Sequence, residues 1–197
     1  MARPDSIPLA DPGNLLPAVR FLEAEGLPYA RDLDALHVPI ESVETGRGKI
    51  SKVQLFEILD RWRLAMSDDF GYRAGSHYTP SLMGGIGAMM TQAPTLAEAI
   101  RRLDDHLRAW VSHNSMRVER NGDRALLQIA TRDGLDVERT VANQITVHSL
   151  VNIIRLAAGP SWTPRKVWVE LPREAYDERA GGLWGAEVVF DAVDTTV

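Results

Sequence analysis

The chain has 197 residues, 45% of them hydrophobic, with 22 basic against 27 acidic side chains, a formal net charge of -5 and no cysteine. This is the composition of an ordinary globular domain, which excludes disordered, collagen-like and coiled-coil chains. The missing cysteines exclude disulfides, thiolate metal centres and a cysteine nucleophile, and fit a reducing cytoplasm. The acidic balance argues against a direct grip on a phosphate backbone, and no apolar run reaches the 18 residues that suggest a membrane span.

Residues 1–16 contain Pro4, Pro8, Pro12 and Gly13 and read as an extended arm ahead of one domain over residues 17–197. Pro17 opens a helix over Ala18 to Glu25, which Gly26 stops, and a second short segment spans Arg31 to Leu36. Glu44 to Lys49 is a glycine-broken loop. Ser51 is an N-cap, and Val53, Leu55, Phe56, Leu59, Trp62 and Met66 recur at spacings of three and four, so Lys52 to Met66 is an amphipathic helix. Phe70 to Gly75 reads as a glycine-rich bend. Leu82 to Met90 is apolar but carries Gly84, Gly85 and Gly87, whose missing side chains admit another backbone. Thr95 and Glu98 form a capping box ahead of a helix through Trp110.

Beyond Met116 the pattern changes. Arg117 to Arg120 and Ala125 to Thr131 read as strands joined by Asn121-Gly122-Asp123. Val137 to Ala158 is helical and ends at Gly159-Pro160. Lys166 to Leu171 alternates as a strand, Glu174 to Leu183 is a short helix, and Glu187 to Phe190 is a last strand. The order predicts an α+β fold, with a helical N-terminal half packed on a small antiparallel sheet.

Chemical motifs are sparse. His106 and His113, seven residues apart on one helix, start roughly 10 Å apart at 1.5 Å rise per residue, too far to share a small metal ion. There is no Gly-x-Ser-x-Gly elbow, and Gly84-Gly85-Ile86-Gly87 fits no phosphate-binding pattern. One helix carries a polar stripe, Thr140, Gln144, His148 and Asn152 with Arg155 close by. Normal amphipathicity turns such a stripe toward water, the alternative being a ligand cavity or a subunit contact.

Phe70 to Gly75, Gly84 to Met90, Gln92 to Ala99, Gly159 to Pro164 with the strand Val167 to Leu171, and Trp184 to Ala192 together resemble the N-terminal effector domain of AraC-type transcription regulators, in its arabinose-binding-domain-like subgroup. The resemblance spans about residues 14 to 197. It implies a cytoplasmic small-molecule-sensing domain that forms a homodimer and controls DNA binding through a C-terminal helix-turn-helix half, which is not in this chain. It implies no enzyme activity, cofactor, metal or membrane contact, and the name of the subgroup does not identify the effector. A cavity is expected between the helical half and the sheet, with Trp62, Arg73, His77, Tyr78, Trp110 and Trp168 as candidate ligand contacts. Arg73 suits an anionic group and the tryptophans apolar walls. The candidate dimer faces carry Leu103, Leu107 and Trp110, or Ile153 and Ile154. The competing readings are a small hydrolase using His77 or His106 as base, a haem- or gas-sensor-like domain, and a purely structural dimerisation module.

Overall fold

A computed structural model describes residues 6–122, 124–175 and 184–197. The chain starts with β1 (Leu9–Ala10) and a 3-10 turn at Pro12–Leu15, whose Asp11 side chain accepts from Gly13 N–H. Then come α1 (Leu16–Ala24), α2 (Ala30–Ala35), α3 (Ile40–Thr45) and β2 (Ile50–Ser51), which pairs antiparallel with β1. The N-terminal segment is built into the molecule, since Ala10 and Leu15 are fully buried.

Helix α4 (Lys52–Met66) starts where the Ser51 cap predicts, with Ser51 and Gln54 exchanging side-chain-to-backbone hydrogen bonds. Phe70–Gly75 forms a helix, α5, rather than the expected bend. Two glycines in six residues mask a helical pattern whose formation is decided by packing. Helix α6 (Gly84–Thr91) follows a 3-10 turn at Pro80–Leu82, and Gly87 is needed there because a Cβ would lie 1.6 Å from the Pro80 carbonyl oxygen. Helix α7 (Leu96–Trp110) is capped by Thr95, which accepts from Glu98 N–H.

Strands β3 (Asn114–Asn121) and β4 (Arg124–Thr131) form the expected antiparallel hairpin. After α8 (Thr140–Ala158) come β5 (Lys166–Trp168), β6 (Glu187–Val189) and β7 (Thr195–Thr196). The sheet runs β3-β4-β7-β5-β6, and the fold is α+β as expected. One pairing differs from the expected antiparallel arrangement: β5 and β6 are parallel. Apart from a 3-10 turn at Arg173–Ala175, the helix expected over Glu174 to Leu183 lies outside the described residues.

Two buried clusters make up the core. The first gathers α1, α4 and α5 around Phe21, Trp62 and Phe70. The second joins α7 and α8 to the sheet around Leu103, Leu107, Leu127 and Val167. Helix α8 serves both, giving Val141 and Ile145 to the first and Val147, Leu150, Val151 and Ile153 to the second.

The polar stripe of α8 does not face water. Gln144 is fully buried and donates from its amide to the Asp68 carbonyl at 3.0 Å, while Asn152 donates to the Tyr78 carbonyl at 2.9 Å. His148 stacks obliquely on Trp184, ring centroids 4.7 Å apart. The stripe fits because α5 presents bare backbone to it: a Cβ on Gly71 would stand 2.3 Å from Gln144 Oε1, and one on Gly75 2.9 Å from the His148 Cβ. Gln144 and Asn152 are polar because they donate to the main-chain carbonyls of Asp68 and Tyr78 in the segments that flank α5.

The glycines of this fold should separate cleanly. Gly71→Ala is expected to destabilise by about 1–3 kcal/mol through overpacking. Gly85→Ala, in helical backbone with open space around its Cβ position, should stabilise by about 0.5 kcal/mol. Urea unfolding of the two variants measures both signs.

Burial, with a smaller contribution from Arg155, pulls His148 down to about 4 from 6.5. The unfolded chain therefore binds a proton that the folded chain refuses between pH 6.5 and about 4. This contribution to stability is complete above 6.5 and lost as pH falls through 4. Relative to His148→Gln, the wild type should lose up to about 3 kcal/mol over that window, read as urea midpoints at pH 7.5 and 4.5. Equal losses in both proteins would show that the ring is not held neutral.

Candidate functional site

A cavity of about 120 Å³ lies on the seam between the two core clusters. Its walls come from α4 (Leu55, Phe56, Leu59), α7 (Leu103, Leu107, Trp110), the hairpin (Met116, Ile129, Thr131) and the length of α8, with Tyr78 and Met83 closing one side. Larger hollows, of about 450 and 390 Å³, open among exposed residues such as Glu44, Thr45 and His106, or Arg124 and Arg165. The 450 Å³ hollow reaches the buried members of both clusters only at Val43 and Met83, whereas the seam cavity is lined mainly by buried residues of the two, among them Leu55, Phe56 and Leu59 from the first and Leu103, Leu107 and Leu150 from the second.

Its polar end is built on Lys52. The first residue of α4 lies only 1% exposed, and its ammonium donates to the Ser112 carbonyl (3.1 Å), Asn114 Oδ1 (2.8 Å) and Asp133 Oδ2 (2.7 Å). All three donors of the ammonium are thereby used. Asp133 is saturated in turn: its other oxygen accepts from Leu135 N–H at 3.1 Å and from Arg139 Nη2 at 3.3 Å. Burial pulls the Lys52 ammonium below the ordinary lysine range, with Asp133 pulling partly back. Burial works against the Asp133 carboxylate too, but Lys52, the Leu135 amide and Arg139 together hold it below the usual range.

Arg139, which precedes the first turn of α8, covers the Phe56 ring at 5.7 Å and also donates from Nη2 to the Leu135 carbonyl. Along α8 from there, Asn143, Thr146, Ser149 and Ile153 line the cavity. Thr146 and Ser149 spend their hydroxyls on the carbonyls of Ala142 and Ile145. Asn143, 9% exposed, makes no side-chain hydrogen bond among the described residues. Tyr78 donates its hydroxyl to the Asn14 carbonyl, and burial pushes its phenol upward, so it stays a donor.

Of the six candidate contacts, Tyr78 and Trp110 stand on this wall. Trp62 is buried in the first cluster, edge-on to Phe70 at 6.3 Å. Arg73 pairs with Glu25 at 2.7 Å near the surface and covers Phe21, against whose ring His77 also packs. Trp168 sits across the sheet beside Leu126 and Val193, under the Lys166 ammonium. His77 and His106, the candidate bases, lie outside the seam cavity. Among the described residues no three His, Asp or Glu side chains gather to hold a metal, and no helix is long and apolar enough to cross a membrane.

Sequence reasoning missed Lys52, Arg139 and Asn143. The one available signal was the run Asn143, Thr146, Ser149, polar at three-residue steps inside an apolar helix.

A family model described as the arabinose-binding domain of AraC transcription regulators, N-terminal, matches residues 26–197. The chain belongs to that family. Its fold is similar to the crystal structure of the transcriptional regulator CdpR from Pseudomonas aeruginosa, with a TM-score of 0.57 at 16% identity. The match covers 94% of this chain and 54% of CdpR, so the chain spans about half the length of that regulator. No curated protein matches the sequence. Membership makes this a regulatory ligand-sensing domain.

The Lys52–Asp133 pair gives a test of the polar end. Asp133→Asn leaves the buried ammonium uncompensated and should cost about 3–5 kcal/mol, whereas Lys52→Met with Asp133→Leu should recover most of the loss. Chemical denaturation of the single and double variants decides.

Proposed function

We propose that the seam cavity holds a small-molecule effector, and that its occupancy controls DNA binding by a C-terminal helix-turn-helix domain of a cytoplasmic, homodimeric regulator. Residues 17–197 act in this reading as one effector-binding and dimerisation domain, and no reaction is catalysed. The observation that carries the reading is the position of the cavity, walled by both core clusters of a ligand-sensing family member.

A ligand there touches α4 and α7 at once, and α8 beside both. It favours one arrangement of the two clusters to the extent that it binds that arrangement more tightly, and a tenfold preference is worth about 1.4 kcal/mol. The hairpin wall supports transmission to the C-terminal end of the domain: Ile129 lines the cavity and pairs with Thr195, and Leu127 exchanges backbone hydrogen bonds with Val197. Of the dimer faces named from sequence, Leu103, Leu107 and Ile153 are buried within the chain and only Trp110 and Ile154 are partly open to a partner.

A panel of small metabolites screened by thermal unfolding tests this. A ligand at 100 times its Kd stabilises by about 2.7 kcal/mol, or about 5–10 °C for a domain of this size. Thr146→Phe, which fills the cavity from α8, should abolish that shift while the unliganded protein still unfolds cooperatively. A shift that survives the filled cavity would place the effector elsewhere.

A further inference from the structure

Resting on that reading, we propose that the effector is an uncharged, largely hydrocarbon molecule about the size of one substituted ring, held in the seam cavity by its apolar walls.

The charges beside the cavity are already balanced. Two cations, Lys52 and Arg139, stand against two carboxylates, Asp133 and Glu170. Lys52 gives all three donors to acceptors of the protein, and Asp133 accepts bonds on both oxygens. Arg139 is held by Asp133 and the Leu135 carbonyl and lies over the Phe56 ring. An anion or a cation entering the seam would give up its water and meet no spare counter-ion, which disfavours both.

The neutral polar groups of the wall are mostly committed as well. Thr146 and Ser149 donate to the carbonyls of Ala142 and Ile145 in their own helix, and Tyr78 donates to the Asn14 carbonyl. A polyol would lose several hydrogen bonds to water here and regain few. Asn143 adds a neutral amide to the same wall, enough for one polar substituent on the guest.

The rest of the lining is apolar and comes from every side. Leu59 of α4, Leu107 of α7, Ile129 of the hairpin and Leu150 of α8 belong to four different elements. A guest of matching shape gains by moving its hydrocarbon from water onto these side chains. An apolar cavity of about 150 Å³ in another protein admits benzene. The seam, at about 120 Å³, has room for a single ring or a short branched chain. Met83, unbranched and flexible, closes one side and can give way to a small substituent.

The experiment measures, by calorimetry on the 197-residue chain, two isosteric pairs that differ in charge: ethylbenzene with benzylammonium, and nitrobenzene with benzoate. L-Arabinose serves as the polyol. The expected result is that each neutral member binds at least tenfold more tightly than its charged counterpart and that L-arabinose produces no binding heat. Thr146→Phe should abolish binding of the neutral probes, and Thr146→Val, which keeps the shape of the wall without the hydroxyl, should retain it. A charged member that binds as tightly as its isostere would overturn the inference, as would arabinose binding that Thr146→Phe abolishes, or failure of both neutral probes to bind. Neutral-probe binding that survives Thr146→Phe lies elsewhere and overturns it too. If the neutral probes fail while another metabolite shifts the melting point and Thr146→Phe abolishes that shift, the cavity stands as the effector site and only the ligand class falls.

Discussion

Helix α5 meets α8 through two glycines, with the Tyr72 ring beside them against His148. With Gly71 and Gly75 one turn apart, the two backbones approach until Gln144 and His148 lie against bare Cα positions, and there is no room for even a methyl group. The contact does more than fill space. The Gln144 amide reaches the main chain just before α5 and the Asn152 amide the main chain just after it, so a helix of only six residues has a partner at each end. A helix this short has little stability of its own. Its persistence depends on α8, and both core clusters depend in turn on α8 being held where α5 fixes it.

A second constraint acts at the other end of the seam. Lys52, at the start of α4, ties together the segment between α7 and β3, the first residue of β3 and the loop before α8. Buried ion pairs contribute little net stability against an apolar replacement, but they penalise wrong arrangements heavily. The arrangement they specify here sets the distance between α4 and the hairpin, which is the width of the cavity.

What could be read in the sequence was whatever depends on neighbours along the chain. The Ser51 and Thr95 caps, the Gly26 stop, the hairpin turn and the periodicity of α4, α7 and α8 are local signals, and each fell where expected. What could not be read depends on distant partners. Phe70–Gly75 looked like a bend because nothing local shows that α8 would supply its packing. The stripe at Gln144, His148 and Asn152 looked solvated because polarity alone does not distinguish water from a buried carbonyl. In α4 the pattern was misleading at its first turn, where Val53 is 42% exposed and Lys52 is buried. The parallel pairing of β5 with β6 and the two-residue β7 leave no periodic trace. The candidate cavity was legible only in part for the same reason: aromatic residues can be picked out by type, but only the fold separates Tyr78 and Trp110 on the wall from Trp62 in the solid core and Trp168 across the sheet.

The glycine contact also determines where this domain can give. Two helices meshed through missing side chains cannot slide or turn against each other without collision, so α5 and α8 behave as one welded beam. Compliance is left to the opposite bank, where α7 faces α4 across the cavity and only the Lys52 end is tied to the hairpin.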